Sequence, residues 1–126
     1  MVEDCLPLAT SSVKRVVDIG TSQGHFLLRI LSQYPQLSGI GMDLPRVISI
    51  LEGNLPKLPI ASQEAAQRAQ WQPGSFFNVK DFPEFQDGDA IIMRYILHDW
   101  TDADCVTILT NLRTAIGDKK VRSGAL

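Results

Sequence analysis

The 126-residue sequence predicts one α/β domain, a doubly wound parallel sheet with helices on both faces. Two observations lead to this fold class. Short apolar segments alternate with stretches of helical periodicity, and this alternation is typical of parallel strands joined by crossover helices. Hydrophobic residues make up 44% and charged residues 21% of the chain, which is the composition of a globular domain with a buried core.

Four segments have the short apolar runs, bounded by turn residues, that are typical of buried strands. The first is bounded by Gly20, and the second closes on Asp43. The third mixes aromatic residues with Pro73 and Gly74 and has the weakest strand pattern, whereas the fourth follows the turn sequence DGD and has the clearest. The predicted strands are Val13–Ile19, Ser38–Met42, Trp71–Phe77 and Ala90–Leu97.

Apolar residues recur at helical spacing between these strands. Pro45 suits the first turn of the second helix, where its missing N–H has no intrahelical partner to lose. The last helix begins at Thr101, whose hydroxyl can cap it with Asp104 three residues on, and Gly117 suits its end. The predicted helices are Gln23–Tyr34, Pro45 through Leu51, Ala61–Ala69 (which could equally be a connector) and Thr101 to Gly117.

These elements predict a sheet in the order 3-2-1-4. We expect residues 1–12 to form a lead, 13–117 a partial domain and 118–126 a poorly structured tail, because KKVRSGAL offers few apolar residues where a fifth strand should follow. A fourth strand left at the edge would make the chain one half of a larger fold. The predicted core comprises Val16, Val17, Ile19, Leu27, Ile30, Leu31, Ile40, Ile91, Ile92, Leu97, Leu109 and Leu112.

Charge and cysteine content exclude several classes of protein. Fourteen acidic and twelve basic residues give a formal charge of −2, which argues against nucleic-acid and anionic-membrane partners. No apolar run approaches the roughly 18 residues of a transmembrane helix. Cys5 and Cys105 are too few for a disulfide framework or a zinc site, so we expect a reducing compartment, the cytoplasm.

Polar residues follow three predicted strands at their carboxyl ends, where open α/β sheets bind ligands. The loop from Asp18 to Gly24 contains glycines that permit a tight turn and a close backbone approach to a ligand, or simply a plain strand-to-helix turn. A G-x-G-x-x-G dinucleotide pattern fails there at Ser22 and His25. Asp43 suits two roles, a carboxylate that accepts both hydroxyls of a ribose or the N-cap of the next helix.

The third loop follows the fourth strand and reads Arg94-Tyr-Ile-Leu-His-Asp-Trp. His98 titrates near neutrality and can accept a proton from a substrate hydroxyl. Asp99 could raise the basicity of that imidazole or contact substrate, and Trp100 offers a flat apolar wall. The alternative is that His98 and Asp99 only terminate the strand and cap the next helix.

Three runs carry a family resemblance: VVDIGTSQGHFLLRILSQYPQLSGIGMDLPRVI, then GSFF, then RYILHDWTDADCVTILTNLRTAI. Together they resemble the S-adenosylmethionine-dependent O-methyltransferases of the caffeate, hydroxyindole (acetylserotonin) and bacterial polyketide type. The resemblance extends from about Val13 to Gly117. Its most specific part is HDW followed by a D-x-D helix start, in register with the glycine loop and D-L-P. It implies a Rossmann-like methyltransferase fold.

The resemblance also implies which residues bind the cofactor. Gly20 corresponds to the glycine whose backbone meets the methionine part of S-adenosylmethionine, and Asp43 to the acid that holds the ribose. Ser75 and Phe76 stand where the family has the pair that flanks the adenine. The full implied set is Asp18, Gly20, Gly24, Asp43, Ser75, Phe76, Arg94 and Trp100.

The chemistry that the resemblance implies is methyl transfer from S-adenosylmethionine to a hydroxyl of a small aromatic or polyketide substrate. A phenol has a pKa near ~10, so an imidazole of pKa near ~6.5 assists by accepting its proton as the new bond forms. His98 matches this general base, and Asp99 matches an acid that helps to position substrate or base. The route requires no metal, and the sequence shows no carboxylate cluster for magnesium.

Three departures from the family pattern matter. Ser22 replaces a glycine of the family pattern, which adds a Cβ where we expect the backbone to take a positive φ, and Ser75 replaces the acid that faces the adenine. Each should weaken cofactor binding without abolishing it. We also expect the sequence to lack the N-terminal helical domain through which full-length relatives form homodimers, and the later strands whose acids orient the histidine.

Three hypotheses follow. The leading one is an O-methyltransferase, or the cofactor-binding core of one. The second is a catalytically inactive fragment that survives as a binding or regulatory unit. The third is a small dinucleotide-binding oxidoreductase module, which would bind NAD in place of S-adenosylhomocysteine.

Overall fold

The computed structural model describes residues 12–93 and 100–125, with the backbone alone for 123–125. Within these residues one sheet contains five strands in the order β3-β2-β1-β4-β5, and all neighbouring strands pair in parallel. The predicted order 3-2-1-4 is therefore confirmed, and a fifth strand extends it. The strands are β1 Arg15–Ile19, β2 Ser38–Asp43, β3 Ala69–Pro73, β4 Asp89–Met93 and β5 Arg122–Ala125.

Helices connect the strands, and local sequence explains where several of them begin and end. Pro45 occupies the first turn of α2, and Thr101 caps α4 by accepting the N–H of Asp104 at 3.1 Å. Gly117 ends α4 with a φ of 61°. None of the helices within the described residues is long and apolar enough to cross a membrane. The helices are α1 His25–Gln33, α2 Pro45–Asn54, α3 Ile60–Ala66 and α4 Asp102–Ile116.

Two apolar clusters cover the two faces of the sheet. One contains Val16 of β1 with Leu27 of α1 and Ala65 of α3, and the other contains Val17 with Ile108 of α4. Adjacent residues of β1 enter opposite clusters because side chains alternate across a strand. The predicted arrangement of helices on both faces is therefore confirmed.

The prediction of a poorly structured tail at 118–126 is wrong. Arg122–Ala125 forms β5, which pairs in parallel with β4 in the register Ala90↔Arg122. Strand pairing uses backbone N–H and C=O groups, which every residue except proline supplies, so the segment needs few apolar side chains to complete a ladder beside β4. The sheet accordingly extends past the predicted domain end at residue 117.

Two further sequence predictions need correction. Leu109 is 44% exposed, whereas its neighbour Ile108 is fully buried, because α4 turns the side that carries Ile108 and Leu112 toward the sheet. β3 begins and ends earlier than Trp71–Phe77, since the chain turns at Gly74, whose N–H donates to the carbonyl of Asp43 at 2.9 Å. Of the other eleven predicted core residues, ten are buried and Leu97 lies outside the described residues. The predicted lead up to residue 11 also lies outside them.

A buried ion pair joins β1 to β4 at their amino ends. Arg15 Nε and Nη2 donate to the Asp89 carboxylate at 2.9 and 2.7 Å, and the N–H of Gln86 donates to the same carboxylate at 2.9 Å. Asp89 is 1% exposed. The carboxylate therefore holds the strand that ends in the third polar loop against the central strand.

Replacing Asp89 with alanine is expected to lower the free energy of unfolding by about 3–5 kcal/mol, because the Arg15 guanidinium would remain partly buried without its partner. Urea unfolding followed by circular dichroism measures the change. Asp118→Ala, at an exposed position, is the control and should leave the midpoint unchanged. Equal midpoints for both variants would contradict a stabilising role for the ion pair.

Candidate functional site

The loop after β1 is held to β2 by backbone hydrogen bonds. The N–H groups of Gly20 and Thr21 donate to the carbonyl of Met42 at 2.8 and 3.0 Å. Gly20 and Gly24 have φ values of 80° and 79°, in the left-handed region that glycine enters without steric cost. The two glycines, four residues apart, therefore permit a tight turn at the carboxyl end of the central strand.

Ser22 lies between those glycines with a φ of 55°. The expectation that a serine Cβ meets a positive φ here is confirmed. A left-handed conformation costs an L-residue roughly 1–2 kcal/mol. The loop tolerates this strain because the N–H of Ser22 donates to Asp43 Oδ2 at 2.8 Å.

Asp43 joins the loops that follow β1 and β2. Its Oδ2 accepts the N–H of Ser22, and its Oδ1 accepts the N–H of Leu44 at 2.8 Å. The N-cap of α2 is Leu44 and no side chain caps that helix, so the capping alternative for Asp43 is wrong. A carboxylate offers about four lone-pair sites, and these two bonds leave room for hydroxyl donors.

Asp18 and Gly24 stabilise the conformation of the loop after β1. Asp18 is 2% exposed and accepts the hydroxyl of Thr21 at 2.9 Å, so its carboxylate stabilises the turn. A Cβ on Gly24 would lie 2.9 Å from the ring of Trp71 and 3.1 Å from Leu51. Both predicted site residues therefore act on the shape of the loop, and Thr21 is a supporting residue that sequence reasoning missed.

The segment after β3 lies next to Asp43 through the hydrogen bond from Gly74. The N–H of Ser75 donates to Asp81 Oδ2 at 2.8 Å, and Ser75 Oγ accepts the N–H of Phe77 at 3.2 Å. Asp81 is a second residue that sequence reasoning missed. It supplies a carboxylate next to the serine that stands in place of the family's acid.

Phe76 and Phe77 point to different environments. Phe76 is 4% exposed and belongs to the apolar cluster under α4, whereas Phe77 is 40% exposed. The ring of Phe77 meets that of Trp100 edge to face, with centroids 5.0 Å apart and planes at 74°. Phe77 is thus a third residue that sequence reasoning missed, because an FF doublet does not show which of its two rings enters the core.

Trp100 is half-buried and directly precedes Thr101. Thr101 is the N-cap of α4, so the capping role is not that of His98 or Asp99. Arg94, His98 and Asp99 lie outside the described residues. In the described part of the chain, the structure brings together the loop of Gly20, the carboxylate of Asp43 and the start of the Ser75 segment. No group of three His, Cys, Asp or Glu side chains placed to hold a metal occurs in that part.

Comparisons with known proteins show the family to which the chain belongs. A sequence model described as an O-methyltransferase domain matches residues 4–122. O-methyltransferase 16 of Lophophora williamsii is 34% identical over 106 residues, which are 84% of this chain and 24% of that protein. Bergaptol O-methyltransferase of Ammi majus is 33% identical over 108 residues, 86% of this chain and 26% of that protein.

A solved structure has the same fold. NcsB1, an O-methyltransferase from neocarzinostatin biosynthesis, was crystallised with S-adenosylmethionine and 2-hydroxy-5-methyl naphthoic acid. It matches with a TM-score of 0.69 and 29% identity, over 87% of this chain and 31% of that chain.

The sheet order and the glycine loop define a Rossmann-like methyltransferase core. The chain belongs to the O-methyltransferase family, whose members use S-adenosylmethionine as methyl donor. It spans about a quarter of the length of the curated relatives it matches.

Replacing Ser22 with glycine is expected to raise the free energy of unfolding by about 1 kcal/mol, because the left-handed φ no longer opposes a Cβ. Urea unfolding measures the difference. Ser49→Gly, at an exposed position inside α2, is the control and should lower the same free energy by about 0.5 kcal/mol. A decrease for both variants would show that Ser22 is not strained.

Proposed function

We propose that this chain binds S-adenosylmethionine at the carboxyl ends of β1 and β2 and serves as the cofactor-binding core of an O-methyltransferase that acts on small phenolic molecules. One observation carries the proposal. The Asp43 carboxylate, bonded to the N–H of Ser22 at 2.8 Å, stands at the end of β2 beside a turn of left-handed residues. Family membership supports the same conclusion.

The residues present fit the cofactor. Asp43 keeps lone-pair sites for the two ribose hydroxyls after accepting its two backbone N–H groups. Gly20 has no Cβ, so a ligand can approach the backbone of the turn closely. Ser75 lies one residue beyond Gly74, whose N–H donates to the Asp43 carbonyl, and this proximity supports a contact of Ser75 with the base attached to that ribose.

S-adenosylmethionine, when bound, supplies a methyl group attached to a positively charged sulfur. The work of the chain is to hold two reactants in line and to remove one proton. We assign the removal of the proton from the acceptor hydroxyl to His98. This residue follows β4 in the sequence, and β4 pairs in parallel with β1, which the glycine loop follows. Asp99 would orient substrate or imidazole from the adjacent position.

The substrate class rests on relatives. Bergaptol O-methyltransferase is named for a phenolic substrate, and NcsB1 was crystallised with a hydroxylated naphthoic acid. We infer a small hydroxylated aromatic acceptor for the protein to which this chain belongs. The formal charge of −2 argues against nucleic acid or an anionic membrane as a partner.

Replacing Asp43 with asparagine is expected to raise the dissociation constant for S-adenosylhomocysteine by about 10- to 100-fold, since hydrogen bonds to a charged acceptor contribute about 1.5–3 kcal/mol. Isothermal titration of the purified chain measures the constant. The amide keeps one acceptor oxygen for the N–H of Ser22, while its NH2 group can no longer accept the N–H of Leu44.

Asp118→Asn, at an exposed position, is the control for charge alone. Circular dichroism of both variants confirms that they are folded. Unchanged affinity for folded Asp43→Asn would refute the ribose role, and binding of NAD in place of S-adenosylhomocysteine would favour an oxidoreductase module.

Replacing His98 with alanine, in the longest natural polypeptide that contains this chain, is expected to reduce methyl transfer to a panel of phenols by about 10²- to 10⁴-fold, the contribution typical of a general base. The affinity for S-adenosylhomocysteine should stay the same. Radiolabelled methyl transfer measures the rate, with His25→Ala, on the exposed start of α1, as control. Equal rates for wild type and His98→Ala would exclude the histidine as the base.

A further inference from the structure

Two separate contacts join the segment after β3 to α4. The ring of Phe77 packs edge to face on Trp100, which precedes the helix. The side-chain amide of Asn111 donates to the carbonyl of Phe76 at 3.1 Å. Asn111 lies about 14 Å along the axis of α4 from its first residue, Asp102, at 1.5 Å per residue. The segment therefore contacts both the residue just before α4 and a residue in the second half of that helix.

The contacts of this segment restrain different parts of it. The hydrogen bond from Asn111 fixes the backbone of the segment, and the buried ring of Phe76 anchors it in the cluster under α4. The indole of Trp100 packs against the same cluster, and the ring of Phe77 meets that indole edge to face at a centroid distance of 5.0 Å.

The exposure of the Phe77 side chain favours a positioning role over a role in the core. With 40% of the side chain exposed, Phe77 buries little surface that a leucine would not also bury. A perpendicular pair of aromatic rings, in contrast, fixes the relative orientation of both and contributes about 0.5–1.5 kcal/mol beyond the buried area.

We propose that Phe77 is a positioning residue that fixes the orientation of the Trp100 indole and, through it, strengthens cofactor binding. The second half of this inference rests on the proposed function, together with the family resemblance that puts Trp100 among the cofactor-binding residues. The contact links the segment that carries Ser75 to the residue before the N-cap of α4.

The test uses Phe77→Leu in the 126-residue chain, with Phe77→Tyr as the conservative variant. The chain has two tryptophans, so a nitrogen–proton correlation spectrum shows two indole signals, and Trp100→Leu assigns them. Phe77→Leu should shift the Trp100 signal and leave that of Trp71 in place, while Phe77→Tyr should preserve both. The dissociation constant for S-adenosylhomocysteine should rise about 2- to 13-fold with leucine and return with tyrosine.

A matched control and a double variant complete the design. Leu109→Ala, exposed on the same helix, should change neither the indole signals nor the affinity. In a Trp100→Leu background, Phe77→Leu should weaken binding no further, because the contact is already lost.

Two results would overturn the proposal. An unshifted Trp100 signal in Phe77→Leu would show that Phe77 does not orient the indole, whatever the affinity. Equal losses of affinity for Phe77→Leu in the wild-type and Trp100→Leu backgrounds would show that Phe77 acts without Trp100. A folded wild-type chain that binds no S-adenosylhomocysteine would instead refute the proposed function, and the indole signals would still decide whether Phe77 positions Trp100.

Discussion

The parallel ladder on both sides of β1 is the constraint on which the site depends. β1 pairs with β2 and β4 over its full length, with Ile19 opposite both Met42 and Met93. Because the three strands run the same way, their carboxyl ends meet at one edge, and the residues that follow β1 and β2 become neighbours there. Burial of the strand on both faces holds this register, since a slip of one residue would turn its apolar side chains to the wrong cluster.

Hydrogen bonds at the carboxyl ends of these strands fix the position of each polar group. The carbonyl of Met42 holds the turn after β1, and the two main-chain bonds to Asp43 orient its carboxylate. The carbonyl of Asp43 also accepts the N–H of Gly74. One residue at the end of β2 thus fixes the loops on either side of its strand, through its side chain on one side and its backbone on the other.

Much of this could be read from the sequence, for identifiable reasons. The parallel sheet followed from the alternation of apolar runs and helical stretches, and the positive φ at Ser22 followed from a serine that stands where the resembled family has a glycine. β5 could not be predicted, because its ladder uses backbone groups that leave little trace in the side chains. The burial of Ile108 in place of Leu109 depends on how α4 is rotated against the sheet, and adjacent apolar residues do not encode that rotation. The same ambiguity hid the different surroundings of Phe76 and Phe77.

The indole of Trp71 covers two glycines at once, and this restricts how the sequence can evolve. A Cβ on Gly41 would lie 2.6 Å from the Trp71 ring, and one on Gly24 would lie 2.9 Å from it. Neither glycine can therefore mutate while the indole stays in place, and a smaller residue at 71 would leave a void over both. The three positions are expected to change together across lineages or not at all, so a pattern of shared substitution should connect the turn after β1 to two strands far from it in the sequence.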